Sequence, residues 1–101
     1  MYLVYCPFPN IAEAKKAAKA LVEDNLCCCA NVVKSYSSIY KEKGRLVEDS
    51  EFILIAKSLD STVEGLEKKL GEIHTYDVPA ILRIKVDKTN KDYEKWCECI
   101  A

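Results

Sequence analysis

LCCCANVVKSYSSIYKEKGRLVEDSEFILIAKS, residues 26–58, consists of two long runs of strand-forming residues around a short polar loop. Residues 26–40 are rich in Cys, Val, Ser, Tyr and Ile, and residues 46–58 contain the apolar core FILIA, which favours two strands. The loop KEKG at 41–44 ends in a glycine that tolerates a positive φ, so the pattern predicts a hairpin. Its strands would be about 13 residues long, against roughly 5–6 in a typical strand.

The segments around this hairpin complete a β-α-β-β-α-β order with an additional helix at the end. The predicted elements are a strand at 2–6, a helix from Ile11 to about Asp24, a helix over 61–73, a strand at 80–86 and a helix from Asn90. Asn10 with Glu13, and Ser61 with Glu64, have the spacing of helix-capping boxes. This order is that of an α+β, ferredoxin-like sandwich. The sequence therefore predicts one domain over residues 1–101.

The extended central hairpin has a consequence for assembly. Two helices and four strands cannot cover arms of that length, and uncovered strand edges promote pairing with another chain. Strand pairing between identical subunits resolves the problem. The sequence therefore predicts a homo-oligomer.

Composition excludes several classes of partner. The net charge is −1 and the charged residues, 31% of the chain, are interspersed, whereas nucleic-acid and anionic-membrane binders need a basic surface. The chain begins MYLVYCP without a basic leader and contains no apolar run long enough to span a bilayer. We expect a cytoplasmic protein with no nucleic-acid and no membrane partner.

Six cysteines are present, but their positions are not typical of a disulfide framework. Cys27, Cys28 and Cys29 are adjacent, and in a strand Cys27 and Cys29 would share one face while Cys28 takes the other. Cys97 and Cys99 would diverge on a helix. We expect most cysteines to be free thiols packed as small apolar residues, and we expect no structural zinc site.

The residues that could carry chemistry are few. No CxxC pair follows the first strand, and neither GxGxxG nor GxxxxGK occurs, so no organic cofactor is predicted. The single histidine, His74, would have to serve any Cys–His nucleophile pair; the alternative is that it merely ends the second helix. We predict no enzymatic activity. Cys6 and His74 remain as soft or borderline ligands, which suit copper or another divalent cation.

Five segments, in order, resemble the CutA family of divalent-cation-tolerance proteins. They are VYCPFPN at 4–10, LCCCANV at 26–32, SIY at 38–40 followed by Gly44 and Arg45, HTYDVPAI at 74–81 and DYEKW at 92–96. The fourth is similar to the family's H-P-Y-x-x-P-x-I signature, with Thr75 in place of proline. The second places Cys29 at the family's cysteine. In the third, Lys41 and Glu42 stand where the family usually has a tryptophan.

The resemblance implies a ferredoxin-like trimer, built by strand pairing between subunits, that is associated with tolerance to copper and other divalent cations. It points to Cys6 and His74 as metal ligands. A carboxylate could complete the site, and Asp77 is the nearest one in sequence. Other residues are expected at an intersubunit cleft or interface: Cys29, Tyr40, Glu51, Tyr76 and Trp96. Tyr76 and Trp96 could instead be packing residues, and Glu51 a solvated one. The same architecture occurs in PII-like signalling proteins, so a signalling or scaffold trimer that binds a small ligand or a partner protein is the alternative.

Overall fold

The computed structural model describes residues 1–100, which form six strands and three helices. In chain order they are β1 (Tyr2–Phe8), α1 (Ile11–Glu23), β2 (Cys29–Lys34), β3 (Ser38–Glu42), β4 (Arg45–Asp49), β5 (Phe52–Ser58), α2 (Val63–Ile73), β6 (Leu82–Lys85) and α3 (Lys91–Ile100). None of the three helices is long and apolar enough to cross a membrane.

Four strands form an antiparallel sheet in the order β2-β5-β1-β6. Val4, Cys6 and Phe8 alternate along β1 on the face that α1 and α2 cover, and Leu54 and Ala56 do the same on β5. The helices contribute the other half of the core: Ala14, Ala17, Leu21, Val63, Leu66 and Leu70. This arrangement confirms the predicted α+β, ferredoxin-like fold.

The prediction of two unbroken strands of about 13 residues was wrong. Each arm is divided: β2 and β5 belong to the main sheet, whereas β3 and β4 form a separate two-stranded sheet, the distal hairpin. Ser35 lies at the division and binds Glu51 twice. The Ser35 N–H donates to the Glu51 carbonyl at 2.8 Å, and the Glu51 N–H donates to Ser35 Oγ at 2.9 Å. A side chain thus replaces one rung of the ladder, and the molecule becomes elongated, 46 × 25 × 20 Å.

The turn of the distal hairpin consists of Lys43 and Gly44 alone. Their φ angles are 51° and 76°, which is the pair of positive values that a two-residue type I′ turn requires. The predicted role of Gly44 is confirmed, although β3 continues through Glu42 and shortens the loop.

The two predicted capping boxes have different outcomes. The Glu13 N–H donates to Asn10 Oδ1 at 2.9 Å and Asn10 Nδ2 donates to Glu13 Oε2 at 2.8 Å, so the first cap is confirmed. The prediction for Ser61 was wrong. Thr62 is the N-cap of α2, and its hydroxyl bonds to Ser58 Oγ at 2.9 Å instead of capping the helix.

Two of the three adjacent cysteines precede β2 instead of lying within it. Cys27 and Cys28 are both buried, while Cys29 begins β2 and is partly exposed. The predicted alternation of the three over two sheet faces was therefore wrong. Four cysteines are free thiols, as expected for most of them, but Cys28 forms a disulfide with Cys97 on α3.

Candidate ligand cleft beside the distal hairpin

A cleft of about 890 Å³ lies between the distal hairpin, the end of β1 and the segment that follows α2. Four residues singled out from the sequence line it: Tyr40, Glu51, Tyr76 and Asp77. The remaining lining residues are Pro7, Pro9, Ser38, Ile39, Glu42, Asp49, Val78 and Ala80. The fold thus gathers residues that are far apart in the sequence into one concave surface, which is the usual form of a ligand site.

His74 connects this cleft to the core. It is the C-cap of α2, as the alternative interpretation of this residue expected, and it is 9% exposed. Its ring stacks on Phe8 with 4.2 Å between ring centroids and an interplanar angle of 18°. Nδ1 accepts a hydrogen bond from the Tyr76 N–H at 3.1 Å, so the proton of the neutral ring is on Nε2, which donates to the Pro7 carbonyl at 2.7 Å. Both ring nitrogens are therefore occupied by backbone partners.

Tyr76 carries this contact chain from His74 into the cleft. Its ring packs on His74 at 4.7 Å between centroids, and its hydroxyl donates to Glu51 Oε2 at 3.1 Å. Partial burial, together with the hydrogen bond to the Glu51 carboxylate, raises the pKa of Tyr76 to about 12. Phe8, His74, Tyr76 and Glu51 form a continuous series from the core to the cleft.

The cleft is electronegative because four carboxylates line it, those of Glu42, Asp49, Glu51 and Asp77. Partial desolvation and the surrounding carboxylates raise the pKa of the Tyr40 phenol. Those carboxylates are Asp49, Glu42 and Glu51. The negative charges disfavour the phenolate anion and so keep the phenol protonated. The same charges would attract a cation to the cleft.

Cys6 lies on the other side of the β1 backbone from the cleft. It is fully buried in the core between Val4 and Phe8 in the pattern of β1, and burial raises the pKa of its thiol to about 12. Within residues 1–100, no three His, Cys, Asp or Glu side chains are arranged to hold a metal ion. Ligation by Cys6 and His74 would require loss of the thiol proton and of one His74 hydrogen bond. The Cys6–His74 metal pair therefore stays a prediction.

Cys29 and Trp96 do not line the cleft. Cys29 pairs with Lys57 across β2 and β5, and Trp96 is 48% exposed on α3, stacked on Tyr93 with 5.6 Å between centroids. Glu42 and Asp49, in contrast, were not predicted as cleft residues. Ser38, Tyr40 and Glu42 alternate along β3, so Glu42 shares a face with Tyr40, and that spacing alone could have identified it.

The fold and cleft define a class: a ferredoxin-like α+β domain that extends its central strands into a distal hairpin beside an acidic cleft. The sequence matches the family described as CutA1 divalent ion tolerance protein over residues 2–99. The chain belongs to this family, and the resemblance noted in the sequence is thereby confirmed.

Individual relatives agree with this assignment. The chain is 41% identical to the divalent-cation tolerance protein CutA of Pyrococcus horikoshii over 96 residues, which are 95% of this chain and 93% of the relative. A crystal structure of CutA1 from Pyrococcus horikoshii superimposes with a TM-score of 0.92 at 39% identity, covering 97% of this chain and 95% of that one. For the CutA1 structure from Ehrlichia chaffeensis the TM-score is 0.93 at 29% identity, with coverages of 99% and 94%.

The Tyr76–Glu51 contact gives a direct test of the cleft electrostatics. Glu51→Gln is expected to lower the pKa of Tyr76 from about 12 part of the way to its ordinary 10.0, because the charge is lost while the partial burial remains. The measurement is the pH dependence of tyrosinate absorbance, with Tyr76→Phe identifying the relevant transition. Since the folded-state pKa is raised, the stability linked to Tyr76 is present below pH 10 and is lost as pH rises toward 12.

Glu48→Gln is the matched control, because Glu48 carries the same charge on β4 of the same hairpin but does not line the cleft. Equal pKa shifts in both variants would contradict a specific Tyr76–Glu51 contact.

Proposed function

We propose that this protein is a homotrimeric divalent-cation-tolerance protein of the cytoplasm that binds copper or other divalent ions and takes part in the response to metal ions. The observation that carries the proposal is the electronegative cleft, in which carboxylates surround Tyr40 and Tyr76. Oxygen ligands of this kind suit divalent cations. We assign it a binding role and no catalytic one.

Assembly is supported by the sheet face that α1 and α2 leave uncovered. Tyr5 on β1 pairs with Ile55 on β5 and with Leu82 on β6, so three large apolar side chains lie side by side on this face. Leu82 and Ile84 on β6 are 53% and 49% exposed. A two-layer domain with an apolar open face usually buries it against another chain.

The distal hairpin supports assembly independently. A two-stranded hairpin is marginally stable in water without further strands or a packed face. Here β3 and β4 pair only with each other within residues 1–100, and Ile39 and Leu46 are 64% and 73% exposed. Pairing with neighbouring subunits would cover these residues and would bring a second chain to the open side of the cleft.

Metal ligation is proposed in two parts. Glu42, Asp49, Glu51 and Asp77 give the cleft the negative charge that attracts a divalent ion. Since no three such side chains within residues 1–100 are arranged to hold a metal, water and a neighbouring subunit would supply the remaining ligands. Cys6 and His74 are the proposed ligands for copper, which accepts thiolate and imidazole. The support for this pair is that His74 bonds to the carbonyl of Pro7, the residue that follows Cys6 in β1.

One observation favours the alternative of a PII-like signalling or scaffold trimer. Val78 at the cleft is 88% exposed, and Ile39 and two prolines add apolar surface beside the carboxylates. Such a mixed wall also fits a small organic cation or a basic segment of a partner protein.

Native mass spectrometry of the reduced, anaerobic protein during titration with copper or with another divalent ion separates the two functions. We expect three chains that carry a fixed number of ions. Glu51→Gln should lose the divalent ion from the cleft and His74→Ala should lose the copper ion bound by Cys6 and His74, whereas Glu48→Gln should retain both. Three chains with only scattered adducts in every variant would favour the scaffold, and a monomer would overturn the proposed assembly.

A further inference from the structure

A second cysteine arrangement lies away from the cleft, where α3 meets the segment before β2. Cys28, just before β2, and Cys97 on α3 are 69 positions apart in sequence, yet their Cα atoms are 5.2 Å apart and their sulfurs form a disulfide. They are 5% and 0% exposed. In the part of the chain that the structure describes, this is the one bonded cysteine pair.

We propose that Cys28 and Cys97 form a redox-controlled site for one soft monovalent cation, Cu(I). In the oxidised protein the pair is a disulfide that fastens α3 to the sheet. In the reduced protein the two thiols bind the ion. The site is separate from the cleft and does not depend on the function proposed above.

The geometry suits two thiolates on one ion. Metal–thiolate bonds are about 2.3 Å long, so two sulfurs on one ion lie at most about 4.6 Å apart. Side chains on Cα atoms 5.2 Å apart reach this separation by rotation about their Cα–Cβ bonds. Thiolates select Cu(I) and Zn²⁺ among biological cations, but a structural zinc ion takes four ligands, and divalent hard ions need more ligands and oxygen donors. The burial of both cysteines excludes the water that such ions require.

The surroundings hold Cys28 in position and favour a negative complex. The Cys28 N–H donates to the Lys57 carbonyl at 3.0 Å, and Cys28 Sγ lies 3.3 Å from the same oxygen. The Lys57 ammonium lies 5.3 Å from the centroid of the Tyr93 ring, one helical turn before Cys97. Its positive charge stabilises an anionic bis-thiolate on this side of α3.

The chemistry balances with an external dithiol as the reductant. One thiolate of the dithiol attacks a sulfur of the pair, the Cys28–Cys97 bond breaks, and a mixed disulfide forms. The second thiolate of the reductant then displaces the protein sulfur and leaves with its partner as a disulfide. Cys28 and Cys97 gain two electrons and two protons. Cu(I) replaces both protons without changing its oxidation state and gives a complex with one negative charge.

Competition for Cu(I) against a chromophoric Cu(I) chelator, under anaerobic conditions, tests the proposal. Reduced wild-type protein should hold one more Cu(I) per chain than the same protein with the Cys28–Cys97 disulfide formed. Cys28→Ser and Cys97→Ser should each lose that ion. Cys99→Ser is the matched control, because Cys99 is an exposed cysteine on the same helix, and it should keep the ion. X-ray absorption should show two sulfur ligands.

Equal Cu(I) stoichiometry in the oxidised and reduced wild-type protein would overturn the proposal, and so would retention of the ion by Cys28→Ser and Cys97→Ser. The oxidised wild type blocks both thiols without any substitution, so the test stands even where a serine variant fails to fold. Glu51→Gln and His74→Ala should leave this ion in place. A failure of the cleft proposal and a failure of the dithiol proposal therefore appear in different variants.

Discussion

Phe8→Ala is expected to lower the free energy of unfolding by about 3–5 kcal/mol. Phe8 ends β1, is 2% exposed and belongs to the core between the sheet and the helices. Truncation leaves a cavity there and also removes the ring on which His74 stacks. The total free energy of unfolding of native proteins is about 5–15 kcal/mol, so a loss of this size should lower the urea midpoint strongly. The midpoint is measured by circular dichroism at fixed protein concentration.

Phe52→Ala is the matched control, because it deletes the same atoms from the other phenylalanine of the chain. Phe52 pairs with Phe8 across β1 and β5 but is only partly buried, and its ring has the Lys34 ammonium at 5.9 Å. Phe52→Ala should lower the free energy of unfolding by less than half as much as Phe8→Ala. Similar decreases in the free energy of unfolding in the two variants would contradict the view that Phe8 packs the core and supports His74 beside the cleft.

Leu82→Glu is expected to convert the proposed trimer into monomers. The side chain is 53% exposed in the single chain, so a carboxylate at this position costs the isolated fold little. In an assembly that buries the open face of the sheet, the same carboxylate would lie unpaired against Tyr5 and its apolar neighbours. Light scattering coupled to size-exclusion chromatography, at several protein concentrations, measures the change in mass.

Lys85→Glu is the control for charge, because it alters the net charge by more than Leu82→Glu does. Lys85 lies three residues further along the same strand and so points to the opposite face. This variant should remain assembled. If Leu82→Glu keeps the mass of the wild type, the open face of the sheet is not the interface.

The order of elements could be predicted because each one is encoded locally. Apolar periodicity identifies the helices and strands, and Asn10 with Glu13 marks the start of α1. The division of the long arms could not be predicted in the same way. Residues 35–37 have the composition of a strand, and the break arises from the bonds between Ser35 and Glu51, which lie 16 positions apart. Ser61 illustrates a related limit, since the preference of the Thr62 hydroxyl for Ser58 is a tertiary contact.

The cleft could be predicted only in part. Tyr40, Glu51, Tyr76 and Asp77 were identified through the family resemblance, and the fold does bring them together. Two other contacts join residues that are far apart in the sequence. The Pro7 carbonyl accepts a hydrogen bond from His74, 67 positions away, and Cys28 forms a disulfide with Cys97, 69 positions away. Neither pair has a local sequence signal. The burial of Cys6 follows from the register of β1, which the apolar run alone does not fix.

The distal hairpin has a consequence for the life of the protein in a cell. A newly synthesised chain that has not met its partners carries a thin, solvated β-arm held by a single ladder of backbone bonds, which is a preferred target for proteases. Assembly into the proposed trimer would remove that target. Because assembly depends on protein concentration while cleavage of the free arm does not, the half-life of the protein is expected to increase with its own abundance, so that cells clear stray subunits and retain complete particles.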